Sequence, residues 1–156
     1  MSEQKSMAII ATQGTLDWAY PPLILATTAA ALDYEVSIFY TFYGLQVLRK
    51  NLDLRLSPLG NPAMPMPVSL PVLVQSLPGM EKMATIMMRN KLAKKGVASV
   101  ADLREMALES DVRFIACQMT VDLFDFKQSQ LIDDIEYAGA TAFMEAASDA
   151  DITLYT

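Results

Sequence analysis

Cys117 is the only cysteine of the chain, and its neighbours give the thiol a defined place. It ends an apolar run, Arg113-Phe114-Ile115-Ala116-Cys117, of the kind that forms a strand buried on both faces of a parallel sheet. A helix-start pattern follows at once in Gln118-Met119-Thr120-Val121-Asp122. The thiol is therefore expected at the C-terminal edge of a sheet, close to the N-terminus of the next helix. Open α/β sheets place their ligand chemistry along that edge. The free N–H groups and dipole of a helix start favour the thiolate, the nucleophilic form of cysteine. One reading is a working thiol; the other is a small buried hydrophobe, a common fate of a lone cysteine.

The absence of histidine removes whole reaction classes. Serine–histidine and cysteine–histidine relays cannot be assembled, nor can histidine-ligated zinc or iron sites. A single cysteine excludes thiolate-rich metal sites within one subunit. Catalysis, if present, runs on the thiol, on carboxylates or on backbone electrostatics. A dinucleotide site needs a G-x-G-x-x-G turn after the first strand; only Gly14 stands there, and no phosphate-cradling P-loop is present. No metal and no organic cofactor is expected. Peroxiredoxins carry threonine or serine three residues before their cysteine, where this chain has Phe114. Asp122, Asp125, Asp133 and Asp134 follow the cysteine without diagnostic pairing, and would oppose thiolate formation if close to the sulfur.

The elements that must position the thiol alternate. Met7-Ala8-Ile9-Ile10-Ala11-Thr12 reads as a first buried strand, Glu35-Val36-Ser37-Ile38-Phe39-Tyr40 as a second, and 113–117 as a third. Residues 131–137 lead into a brief fourth strand and 152–155 form a fifth. Between strands one and two Asp17 is expected to cap a helix, with regular helix starting only near Pro21 and Pro22, because proline is costly beyond a first turn. Further helices are expected over 44–52, 80–95, from Ser99 and Asp102 onward, 121–126 and 139–147. The β–α–β–α rhythm implies a parallel sheet with right-handed crossovers and helices on both faces. The turns Gln13-Gly14-Thr15 and Thr41-Phe42-Tyr43-Gly44 should open on the edge that holds Cys117. There Gly14, Thr15, Trp18, Tyr43 and Gln118 are candidate pocket residues, or else core.

The rhythm breaks between 57 and 80, where six prolines interrupt an otherwise Met-, Val- and Leu-rich stretch. Such a segment cannot be an ordinary helix or central strand, and its apolar content argues against disorder. It is expected to be an ordered insertion lying against another surface, within a single domain spanning 1–156. Met80, Met83, Ile86 and Met87 then form one helical stripe, read as packing or as an adaptable docking face. More than half of the residues are apolar and the net charge is −6. The first raises the prior for a homo-oligomer; the second argues against nucleic-acid binding. The lone cysteine and the absence of a secretory signal at the start suggest a reducing cytoplasm. No apolar stretch reaches the roughly 20 residues that span a bilayer.

Long runs of the sequence resemble the DsrE/DsrF-like family of sulfur-relay proteins, in its larger DsrE-like branch, often labelled "peroxiredoxin family". They are Gly14-Thr15-Leu16-Asp17-Trp18-Ala19-Tyr20-Pro21-Pro22, Phe39-Tyr40-Thr41-Phe42-Tyr43-Gly44-Leu45, Pro58-Leu59-Gly60-Asn61-Pro62 and Ile115-Ala116-Cys117-Gln118-Met119-Thr120-Val121-Asp122. The resemblance implies a three-layer α/β/α sandwich around a five-stranded, mostly parallel sheet, assembled into oligomers. It implies that Cys117 carries sulfane sulfur, as a persulfide or thiosulfonate, exchanged with rhodanese-like and TusA-like proteins. Gln118, Met119 and Thr120 are then the supporting residues, with Thr120 and the following N–H groups stabilising the thiolate. Relatives tend to have glycine at the positions of Asp125 and Asp134.

Overall fold

The structure, a computed structural model, describes residues 4–57 and 71–156. Five strands form one sheet: β1 (Ser6–Ala11), β2 (Glu35–Tyr40), β3 (Arg113–Cys117), β4 (Glu136–Ala138) and β5 (Ile152–Tyr155), in the order β4-β3-β2-β1-β5. Every neighbouring pair is parallel. The apolar runs explain this, because a parallel sheet needs both faces covered. Met7, Ile9, Val36, Ile38, Tyr40 and Phe114 face a core built with helices α1 (Leu16–Ala31) and α4 (Val100–Glu109). Ala8, Phe39, Ile115 and Cys117 face the opposite way, against Phe143 of α6 (Ala140–Asp149). The Phe39 and Phe143 rings lie 5.4 Å apart. The three-layer α/β/α expectation holds, with the sheet wholly parallel. No helix among the described residues is long and apolar enough to cross a membrane.

α1 departs from expectation by continuing through its prolines. It starts at Leu16 with Thr15 as N-cap, while Pro21 and Pro22 lie inside it. The segment around residues 55–57 holds the turn ahead of them. The Leu16 N–H donates to the Arg55 carbonyl at 2.8 Å, and the Ser57 N–H to Asp17 Oδ1 at 3.1 Å. Asp17 is thus a tertiary anchor and not the cap. These bonds keep helical a turn that the prolines would otherwise release.

The expected helix over 44–52 is instead a 3-10 helix, Phe42–Leu48. Its three-residue period buries Leu45 and Leu48 on one side. The chain then straightens into an antiparallel bridge between Arg49 and Leu131. α3 spans Met80–Lys94, and Gly96 follows in the left-handed conformation (φ 71°) that glycine supplies. The capping box of Ser99 and Asp102 is formed in both directions. Packing among the described residues does not absorb the methionine stripe, since Met83, Ile86 and Met87 stay about half exposed.

Residues 58–70 of the expected insertion lie outside the described residues. Its end carries a single helical turn, α2 (Val72–Gln75), directly after Pro71. That corrects the expectation of no helix there, and proline is tolerated at a helix start.

Candidate functional site

The sheet ends level at its C-terminal edge. Ala11 pairs with Tyr40, Tyr40 with Ala116, and Cys117 with Ala138. Thr41, one step beyond β2, therefore stands beside Cys117, the last residue of β3. Cys117 is also the N-cap of α5 (Gln118–Leu123), which starts three residues earlier than the expected 121–126. The thiol sits where the sheet edge and helix start coincide.

Two glycines allow the turns to converge. A Cβ on Gly14 would strike the Tyr43 carbonyl, and one on Gly44 the Ala11 carbonyl. The Gly44 N–H donates to the Thr12 carbonyl (3.1 Å) and the Thr41 N–H to the Ala11 carbonyl (3.1 Å). The second turn is thereby locked onto the first, with backbone against backbone. Phe42 takes a left-handed conformation (φ 48°) there, uncommon for a bulky residue and a mark of local strain.

The thiol is buried, with Cys117 only 4% exposed, and Thr120 is wholly buried. Burial alone would push the Cys117 thiol up. The hydroxyl and N–H of Thr120, the Thr41 hydroxyl and the Met119 N–H outweigh it and hold the thiol below its ordinary range. The sulfur closes no conventional cap hydrogen bond, so these donors act as oriented dipoles around it. No carboxylate contributes to the shift. Asp122 instead accepts from Gln118 Nε2 at 2.8 Å.

The hydroxyl protons can be counted. The Phe42 N–H donates to Thr120 Oγ1 at 3.2 Å, and Thr120 Oγ1 lies 3.2 Å from Thr41 Oγ1. One proton is shared between the two threonines, whichever is the donor. The other hydroxyl proton is left for the sulfur. The strained Phe42 N–H thus fixes one lone pair of Thr120 and keeps the pair oriented.

The candidate residues separate on this geometry. Cys117, Thr120 and the Met119 backbone meet in the cradle, while the Met119 side chain is 59% exposed. Gly14 and Tyr43 touch through the turn contact. The Gln118 amide is engaged with Asp122, and the Thr15 hydroxyl accepts from Ser57 Oγ at 3.1 Å. Trp18 stands partly exposed on α1. Neither Thr15 nor Trp18 is among the groups that hold the sulfur. Thr41 was not singled out from sequence. The signal was there: it follows β2 directly, as Cys117 closes the neighbouring β3.

The profile of the DsrE/DsrF/DrsH-like family matches residues 3–155. The chain belongs to this family. It is 60% identical over 157 residues to a protein of Allochromatium vinosum named sulfur carrier protein DsrE2, covering 98% of this chain and 99% of that one. It is 35% identical over 162 residues to the uncharacterized protein YrkE of Bacillus subtilis, covering 99% of each. Among solved structures, the ychN protein from E. coli superimposes with a TM-score of 0.61 over 98% of this chain and 100% of that one, at 12% identity. That likeness concerns the fold.

Proposed function

We propose that this protein is a sulfur carrier that accepts sulfane sulfur on Cys117 and passes it to the thiol of a partner protein. The observation that carries the reading is a buried cysteine whose thiol is lowered by uncharged donors. A structural cysteine among apolar groups would be shifted the other way. The name of the 60%-identical relative supports the cargo.

In the loading step the Cys117 thiolate attacks the outer sulfur of a donor persulfide. A sulfur–sulfur bond forms on Cys117, the donor's own breaks, and the donor leaves as a thiolate. In unloading, a partner thiolate attacks the outer sulfur of the Cys117 persulfide and the Cys117 thiolate returns as leaving group. Sulfane sulfur moves without net oxidation, and no cofactor is required. A low thiol pKa serves both steps, because it raises the thiolate fraction and improves the leaving group. Burial limits the access of stray thiols to the persulfide. Rhodanese-like donors and TusA-like acceptors in the cytoplasm fit this exchange. Assembly of several copies would cover part of the apolar surface left exposed on α1, α3 and α5.

Transfer tests this. Protein loaded with one sulfur and freed of donor is mixed with a single-cysteine TusA-like acceptor, and both masses are followed. One sulfur should leave Cys117 as one appears on the acceptor. A loaded protein that yields its sulfur to dithiothreitol but to no protein thiol would contradict the carrier role.

A further inference from the structure

The turn after β2 and the segment that follows α5 line an open pocket of about 360 Å³ that the exchange chemistry above leaves unused. Its walls are aromatic. Tyr43 and Phe124 stack with centroids 5.9 Å apart, while Phe42 and Phe126 meet Phe124 edge-on at 6.3 and 6.4 Å. Its polar lining is Gln46, Arg49, Gln130 and Asp125.

That lining is rich in donors. Arg49 Nη1 donates to Gln46 Oε1 at 3.3 Å, and the Lys127 N–H to Gln130 Oε1 at 3.0 Å. Each amide thus has its oxygen engaged and its NH2 group left to donate. Arg49 forms no ion pair among the described residues and keeps the rest of its guanidinium donors. The Asp125 carboxylate supplies the opposite charge on the same lining. The floor is preorganised. The Lys50 N–H donates to the Gln130 carbonyl and the Ile132 N–H to the Leu48 carbonyl, both at 2.9 Å, flanking the bridge between Arg49 and Leu131. Arg104 Nη1 clamps the Val47 and Arg49 carbonyls at 2.9 and 2.7 Å.

We propose that this pocket binds the zwitterionic head of a low-molecular-weight amino-acid thiol, and so selects its persulfide as the sulfur donor to Cys117. The proposal rests on the sulfur-acceptor reading above. Arg49 and the two amide NH2 groups suit a planar carboxylate, and Asp125 suits the neighbouring ammonium. The aromatic walls cover the carbon–sulfur body, the mix expected of a small-molecule site. Pocket and thiol share a residue: Phe42 gives its ring to the wall and its N–H to Thr120 Oγ1. In the loading step the Cys117 thiolate takes the outer sulfur and the donor's sulfur–sulfur bond breaks. The organic thiolate leaves with its head still held, and is protonated by solvent.

The test separates binding from sulfur transfer. Cys117→Ser protein is titrated with S-methylcysteine and S-methylglutathione, which cannot react, while the pocket aromatics are followed by NMR. Saturable shifts are expected, weakened about tenfold or more by Arg49→Met. Cys117 loading is then timed by intact mass with glutathione persulfide and with inorganic polysulfide, which lacks the head group. Arg49→Met should slow loading from dilute glutathione persulfide about tenfold and leave polysulfide loading unchanged. Gln130→Glu, which sets a like charge against the carboxylate, repeats the test should Arg49→Met fold poorly. Absence of saturable binding, or equal slowing with both donors, overturns the pocket. S-methylglutathione binding alongside a wild-type thiol that no donor loads would overturn the donor assignment through failure of the sulfur reading itself.

Discussion

If two threonines hold one spare proton for Cys117, removing either hydroxyl leaves one donor in place. With Thr120→Val, Thr41 no longer shares its proton and can turn it to the sulfur. With Thr41→Val, Thr120 still accepts from Phe42 and gives its own proton to the sulfur. Each single variant should therefore raise the apparent thiol pKa by only a few tenths of a unit, on the order of the change in one polarised bond. The double variant leaves no hydroxyl donor. A hydrogen bond to a charged group contributes about 1.5–3 kcal/mol, and about 1.36 kcal/mol corresponds to one pKa unit. Taking the lower half of that range for a large, diffuse sulfur anion, the double variant should rise by about 1.1–1.7 units. Thr120→Val should also cost about 1 kcal/mol of stability, because the Phe42 N–H loses its acceptor. The assay is the pH dependence of Cys117 alkylation by iodoacetamide, followed by intact mass, with thermal unfolding as a check on folding. Either single variant giving the full rise by itself, or two single shifts that sum to that of the double, would refute the shared-proton argument.

The lowered thiol also makes stability depend on pH. Because the folded thiol titrates below the unfolded one, its contribution is fully present above the unfolded pKa and is lost as pH falls through the folded pKa. The stability difference between wild type and Cys117→Ala should therefore change between the folded and unfolded thiol values and stay flat below the folded one, as measured by urea unfolding at stepped pH. Gly14→Ala and Gly44→Ala should each cost about 3 kcal/mol or more, because both force backbone apart from backbone; Gly139→Ala, where a Cβ meets open space, should be near neutral. Asp125→Gly should stabilise by about 0.5–1 kcal/mol, since Asp125 occupies a left-handed conformation (φ 52°) that disfavours a side chain. Arg113 holds Glu136 at 2.9 and 2.8 Å and keeps its carboxyl below the usual range. Arg113→Met should cost under about 1 kcal/mol at neutral pH, as the pair is partly exposed. Its effect should vanish as acid protonates Glu136, read by urea unfolding from neutral to acid pH.

The sheet was legible because its central strands are buried on both faces and leave unbroken apolar runs, while the edge strand Ile152–Tyr155 alternates in burial. Glu35–Tyr40, Arg113–Cys117 and Ile152–Tyr155 begin and end where their patterns do. Cys117 at the sheet edge followed from the same runs. Less legible were features that depend on contacts distant in sequence. Pro21 and Pro22 argue locally against a helix, and the bonds to Arg55 and from Ser57 help to hold its first turn. The 3-10 helix has an apolar pattern that an α-helix would also fit, and Gly44 against Ala11 decides between them. Thr41 escaped notice because its role depends on strand register, and short polar residues after a strand usually signal only a turn.

The central claim is that Cys117 accepts sulfur, and the most direct test is intact mass of the reduced protein after mixing with polysulfide or thiosulfate, beside Cys117→Ser. The account predicts a dithiothreitol-reversible adduct of one or more sulfur atoms on the wild type alone, with sulfite leaving when thiosulfate is the donor. A folded wild-type protein that takes no adduct from any donor, or a Cys117→Ser protein that takes the same one, would contradict it.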